Sequence, residues 1–256
     1  MMPLSRPLNL KKSLGQHFLK DEGVCRQIIN ALKQNSFSRL LEIGPGAGAL
    51  TKHIITIKDV DFKAVEIDRE KVNHLKNTYP DLADRIIEKD FLQMEKPLEG
   101  AFTIIGNFPY NISTEILFKI LGWRSDVERV IGMFQKEVAL RIAASPGSKI
   151  YGVTSVLLQA YFDVEYLFEV SEQAFNPPPK VKSAVIRLTP RKQTLSAKSE
   201  KMFFLLVKTA FNQRRKTLRN ALRGLFTDET LKDPLFNNRA EQLTISQFAE
   251  LTWRMK

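Results

Sequence analysis

The chain has 256 residues, 43% hydrophobic and 26% charged, the proportions of a globular protein with one large domain or one large and one small. Its 39 Lys and Arg against 28 Asp and Glu leave a net charge of +11, which favours a polyanionic partner, nucleic acid first and an anionic membrane surface second. The single cysteine, Cys25, excludes an internal disulfide framework and a cysteine-based zinc cluster, while His17, His53 and His74 stand at no metal-ligand spacing. No apolar run reaches the ~18 residues of a membrane span and the lead-in lacks a secretion-type core, so a cytoplasmic protein with no metal and no membrane anchor is expected.

After a basic lead-in, "EGVCRQIINALKQN" places Val24, Ile28, Ile29 and Leu32 at helical spacing. "RLLEIGPG" reads as a strand that breaks into Gly44, Gly46 and Gly48; "ALTKHIITI" follows as a helix and "DFKAVEID" as the next strand. Helical "REKVNHLKNTY", strands "RIIEKDF" and "AFTIIGN", and helical "STEILFKILGW" continue the alternation. Strands separated by helices imply an α/β fold with a mostly parallel sheet covered on both faces.

Downstream, "RVIGMFQ" reads as a buried strand, and "KEVALRIAA" and "YGVTSVLLQAYF" as helices. "DVEYLFEV" and "SAVIRLTP" flank the Pro-rich "FNPPPKVK" and are expected to pair as antiparallel strands. "SEKMFFLLVKTAF", "KTLRNALRGLF" and "TISQFAELTWRM" read as amphipathic helices, the last opened by a capping-box spacing from Thr244 to Gln247. The polar "RKQTLSAKS" between these regions sets a boundary, giving domains at 1–190 and 191–256.

Chemistry concentrates at strand ends. Glu42, Gly44, Gly46 and Gly48 form a turn whose backbone can approach a ligand closely, although Gly44, Gly46 and Ala49 also satisfy a dinucleotide pattern. Glu66, near the end of the second strand, can accept hydrogen bonds from both ribose hydroxyls of an adenosine cofactor, a position that fits NAD equally. Asp90 ends the third strand, where its side chain can recognise an adenine amino group. The fourth strand ends in "NFPY". The Asn107 oxygen and the Phe108 carbonyl are two acceptors for an exocyclic amino group, Pro109 restrains Phe108 to an extended conformation, and Tyr110 offers a stacking face.

Together, "EIGPGAG", Glu66, Asp90 and "NFPY" resemble the class I S-adenosylmethionine-dependent methyltransferases with a Rossmann-like sheet, and specifically the rRNA adenine N6-dimethyltransferase family. "SLGQHFL" resembles that family's N-terminal cofactor motif, and "FNPPPKVKSAVIRL" its late Phe-x-Pro-x-Pro-x-Val-x-Ser motif. "FNQRRKTLRNAL" and "RAEQLTISQFAEL" resemble the housekeeping small-subunit branch rather than the antibiotic-resistance branch.

The resemblance implies that Gln16, His17 and Leu19 hold the methionine part of the cofactor, that Gly44 and Gly46 pass close to it, and that Glu66 and Asp90 bind its ribose and adenine. It implies further that Asn107 and the Phe108 carbonyl hold the target amino group and that Tyr110 and Phe175 stack the flipped base. His17 stands where the family more often has Asn, and Phe108 where Ile or Leu is usual.

The implied reaction is dimethylation of two adjacent adenosines in the 3′-terminal hairpin loop of small-subunit (16S) rRNA, late in assembly of the pre-ribosomal small subunit. S-adenosylhomocysteine is the product, and no metal is required. A monomer is expected. The candidate phosphate contacts are Arg6, Lys11, Lys12, Lys180, Lys182, Arg214, Arg215, Lys216, Arg219 and Arg223, and a helix would put Lys216, Arg219 and Arg223 on one face within an all-α C-terminal domain. Rival readings are a large-subunit rRNA methyltransferase, an NAD-dependent oxidoreductase and a ribosome-assembly factor that only binds.

Overall fold

The computed structural model describes residues 17–256. Gln16, Arg6, Lys11 and Lys12 lie outside the described residues.

The chain divides into two compact units, one running up to Lys136 and including Tyr166–Thr189, the other made of Glu137–Glu165 and Pro190–Lys256. This differs from a single cut at 190/191, because the segment Glu137–Glu165 groups with the C-terminal helices. The physical reason is packing within the second unit, where helix α6 (Val153–Gln159) lies against helix α7 (Glu200–Asn212). Composition shows where polar linkers lie, but not which helix an earlier segment packs on.

One sheet has the strands β2 (Arg39–Ile43), β3 (Asp61–Glu66), β4 (Ile86–Glu88), β5 (Phe102–Asn107), β6 (Val127–Gln135), β7 (Phe162–Val170) and β9 (Ser183–Pro190), and all of it but the first four residues of β7 and the last of β9 belongs to the first unit. Their order is β4-β3-β2-β5-β6-β9-β7. The pairs β3–β4, β2–β3, β2–β5 and β5–β6 are parallel, and β6–β9 is antiparallel. The expected neighbours "DVEYLFEV" and "SAVIRLTP" do lie side by side as β7 and β9.

Leu40, Leu41, Glu42 and Ile43 are buried in succession, as are Phe102 through Gly106, so both faces of the central strands are covered. Helices α1 (Glu22–Lys33), α2 (Thr51–Ile54) and α3 (Arg69–Thr78) place Cys25, Ile28, Leu32, Ile54, Val72 and Leu75 in one core with Leu40, Phe62, Ala64, Ile105 and Ile131. Helix α1 starts at Asp21, whose carboxylate accepts from the Val24 N–H at 3.0 Å. Helix α4 (Ser113–Gly122) buries Ile116, Leu117, Ile120 and Leu121. A two-residue strand β1 (Phe18–Leu19) pairs antiparallel with β8 (Phe175–Asn176), bringing the Pro-rich segment beside the start of the described chain.

In the second unit, α7 packs against α6, α8 (Leu218–Ala221) and α9 (Ile245–Leu251), while α5 (Lys136–Ile142) leads into this unit. Phe203, Leu206, Val207, Leu218, Phe226, Phe236 and Phe248 are buried there. The capping box opening α9 is present: Thr244 Oγ1 accepts from the Gln247 N–H at 3.2 Å, and Gln247 Oε1 accepts from the Thr244 N–H at 2.9 Å. The helix expected over "KTLRNALRGLF" is confined to Leu218–Ala221, with turns after it, because the chain bends back to Leu231. Lys216, Arg219 and Arg223 therefore do not share a helical face.

Candidate active site

Parallel strands leave their C-terminal ends as a rim of loops, and ligands of open α/β sheets bind there. A cavity sits at that rim in the first unit, with walls that include His17, Phe18, Leu19, Glu42, Gly44, Gly46, Glu66, Ile67 and Asn107 through Tyr110. These residues come from β1 and from the ends of β2, β3 and β5, elements far apart in sequence.

The glycine turn adopts left-handed backbone, with φ +67° at Gly44 and +57° at Gly46, which a side chain would strain. A Cβ on Gly46 would also meet the Phe18 ring at 3.3 Å. The turn is tied to the second strand: the Gly44 N–H donates to the Val65 carbonyl at 2.9 Å, and the Gly46 N–H to Glu66 Oε2 at 3.1 Å. The other Glu66 oxygen accepts from the Asp68 N–H at 3.0 Å. Burial pushes the Glu66 carboxyl above its ordinary range, while those N–H donors and the Lys71 ammonium oppose the shift. Lys71 and Asp68 form a fully buried ion pair at 3.1 Å, and the Lys71 ammonium also lies 5.1 Å from the Phe18 ring centroid.

At the fourth strand end, the Asn107 Nδ2 group donates to the His17 carbonyl at 3.1 Å. That bond orients the amide, and among the described residues Oδ1 keeps no partner, so it remains an acceptor. The Phe108 N–H donates to the Met133 carbonyl at 3.2 Å, which fixes the peptide preceding Phe108. The Phe108 ring is buried edge-on against Phe134, with centroids 5.0 Å apart. The Tyr110 hydroxyl bonds to the Ser183 hydroxyl, and its ring lies 5.5 Å from the His17 ring. Burial raises the Tyr110 phenol above its ordinary value, so it stays neutral.

Other predicted residues stand apart from this cavity. Asp90 lies beyond β4, where its carboxylate accepts from the Leu92 N–H at 2.9 Å and caps the turn Phe91–Gln93. Phe175 is a correction: it is fully buried in the core beside Leu19, because the pairing of β8 with β1 turns its ring inward, and it lines no part of the cavity. Lys180 and Lys182 are exposed, and Lys182 pairs with Glu169. Arg215, Lys216, Arg219 and Arg223 are exposed in the second unit, whereas Arg214 donates to the Lys149 carbonyl and lies 3.8 Å from Glu241.

Two groups went unassigned as ligand contacts in the sequence reading. Glu42 is buried at the cavity wall and accepts from the Thr51 hydroxyl at 2.8 Å; burial pushes its carboxyl up to about 8, and the nearby Glu66 adds to the shift. Ile67 is 53% exposed beside Glu66, an apolar side chain at the cavity wall directly after the carboxylate. The signal for Ile67 is its place directly after a strand-end carboxylate; for Glu42, its place two residues before the glycine turn.

The sheet order, the left-handed glycine turn and the carboxylate at the end of β3 define a class I methyltransferase fold. Among solved structures, a dimethyladenosine transferase from Plasmodium falciparum superposes with a TM-score of 0.76 at 24% identity, covering 92% of this chain and 96% of that one. The 23S rRNA methyltransferase ErmE superposes at 0.69 with 22% identity, over 93% and 99%. Residues 8–255 match the model of the ribosomal RNA adenine dimethylase family, and the chain belongs to that family. It is 51% identical over 246 residues to ribosomal RNA small subunit methyltransferase A of Cytophaga hutchinsonii, covering 94% of this chain and 95% of the relative. To the protein of the same name from Bacteroides thetaiotaomicron it is 50% identical, over 98% and 94%.

Proposed function

We propose that this enzyme dimethylates N6 of two adjacent adenosines in the 3′-terminal hairpin loop of small-subunit rRNA, with S-adenosylmethionine as donor, during late assembly of the small subunit in the cytoplasm and as a monomer. The observation that carries the chemistry is the orientation of Asn107, whose amide nitrogen is held by the His17 carbonyl so that its oxygen is left to accept. Small-subunit rRNA is favoured over large-subunit rRNA by the names of the half-identical relatives.

The residues present fit the donor. The turn at Gly44 and Gly46 leaves no side chain between backbone and ligand, the Glu66 carboxylate suits a ribose diol, and Ile67 suits the face of an adenine. His17 and Leu19 would border the methionine part, and Asp90 would reach the adenine edge from beyond β4. When bound, the donor supplies a methyl group already activated on a sulfonium.

Asn107 Oδ1 and the Phe108 carbonyl would accept the two N–H bonds of the target amino group, favouring its pyramidal form and localising the lone pair on nitrogen. Both acceptors also face positive charge as it develops there, and fixed dipoles stabilise such charge without reorganising. Tyr110, pinned by Ser183, would stack the flipped base on one face. The Phe175 ring, being buried, is not available for the opposite face in this conformation. The departing proton passes to water.

Purified small and large ribosomal subunits lacking the modification, incubated with labelled donor, test the reading. Label in dimethyladenosine of small-subunit rRNA is expected. Label confined to large-subunit rRNA would overturn it.

A further inference from the structure

The second unit contains a recess of about 390 Å³ lined by Arg219, Asn220, Arg223, Asp228, Leu231 and Lys232. Arg219 and Arg223 come from α8 and the turn after it, and Lys232 from the end of the turn Thr230–Lys232. The Arg219 Nε donates to the Leu231 carbonyl at 3.0 Å, which fixes the guanidinium plane while leaving its two terminal nitrogens for a ligand. Arg223 has no ion-pair or hydrogen-bond partner for its guanidinium among the described residues. Among the described residues Lys232 pairs with Glu229 at 2.7 Å, and both side chains are largely in water, a pairing easily exchanged for another anion.

We propose that this recess seats one phosphodiester of the RNA together with its adjoining ribose. The proposal rests on the RNA reading above and adds the residues of a subsite. Arg219 and Arg223 offer planar donors suited to a phosphate, and Lys232 adds a third positive charge. Asp228, at the same wall, opposes a free multiply charged anion but can accept from a ribose 2′-hydroxyl, and the Asn220 amide can serve the same group. A site with cations and a carboxylate side by side therefore suits a nucleotide within an RNA chain better than inorganic phosphate. Arg214 is outside this set, being held by the Lys149 carbonyl.

The test is fluorescence anisotropy across a salt series with the full-length protein, using an RNA hairpin with adjacent loop adenosines and its all-deoxy counterpart. Arg223→Gln and Lys232→Gln, neither of which removes a hydrogen bond within the fold's interior, are compared with Lys58→Gln, an exposed lysine in the other unit. The two recess variants are expected to lose about tenfold in RNA affinity and to lower the slope of log K against log salt by about one, with Lys58→Gln unchanged in slope. Asp228→Ala is expected to narrow the difference between RNA and DNA affinity. Slopes equal to wild type in both recess variants, with wild type binding RNA normally, would overturn the phosphate seat alone, and an undiminished RNA preference in Asp228→Ala would remove the ribose from it. Failure of the wild-type protein to bind the RNA would instead remove the RNA reading, and the seat with it.

Discussion

Asn107 can serve a nucleophilic nitrogen only if its oxygen, not its nitrogen, faces the substrate, and the His17 carbonyl decides that at 3.1 Å. Asn107→Ala is expected to lower kcat by about a hundredfold or more, the scale seen for loss of one preorganised polar group, with RNA affinity unchanged. Turnover near wild type would remove Asn107 from the chemistry. Tyr110→Phe keeps the ring but loses the bond to Ser183, so a several-fold loss is expected, against a much larger one for Tyr110→Ala; equal losses would mean that stacking is not the role.

Glu42 carries a stability prediction. Its folded value of about 8 lies above its ordinary 4.5, so between these values the folded state holds a proton that the unfolded state has released. Stability therefore falls as pH rises through that window, by several kcal/mol at most, since each unit of displacement is worth about 1.4 kcal/mol. Glu42→Gln removes this dependence: its stability relative to wild type, from denaturant melts, is expected to rise from pH 5 to pH 8. A parallel pH profile would show that the carboxyl is ionised throughout.

At the scale of elements, the strand end is shaped by two glycines that face each other across β5 and β6, Gly106 and Gly132. A Cβ on Gly106 would lie 2.5 Å from the Ile43 carbonyl oxygen and 2.6 Å from the Phe108 ring; on Gly132 it would meet the Phe134 ring at 2.5 Å and the Phe108 ring at 2.8 Å. This notch accommodates the large Phe108 side chain at the strand end. Gly106→Ala is expected to cost about 3 kcal/mol or more in denaturant melts, because a backbone oxygen cannot move aside. For Gly132→Ala the three nearest atoms all belong to rings, and it is expected to cost less. The reverse order would mean that the rings, not the backbone, are the rigid partners.

The strand assignments were legible because fully buried parallel strands read as apolar runs, as "LLEI" and "FTII" do. The long helix over 216–226 was not, because the apolar residues of "LRNALRGLF" repeat at helical spacing whether or not the backbone stays helical past Ala221.

For the whole molecule, a net charge of +11 predicts RNA affinity that falls steeply with salt, but it does not say which cations act. The fold sorts them. Arg214 is bound to the Lys149 carbonyl, Arg219 is oriented by Leu231, and Arg215 and Lys216 stand in solvent. Arg214→Gln is accordingly expected to lower Tm by a few degrees, whereas Arg215→Gln leaves Tm unchanged and lowers the salt slope. Identical melting curves for both variants would remove the distinction.

By itself the sequence determined the parallel α/β architecture, the placement of Gly44, Glu66 and Asn107 at strand ends, and the family, because these depend on local periodicity and on short motifs at fixed offsets. Only the tertiary structure decided that Phe175 is core, that Glu42 is a buried acid at the cavity wall, and that Lys232 joins Arg219 and Arg223. Each of these depends on which segments meet in space, and the pairing of β1 with β8 or the return of the chain to Leu231 leaves no trace in the spacing of neighbouring residues.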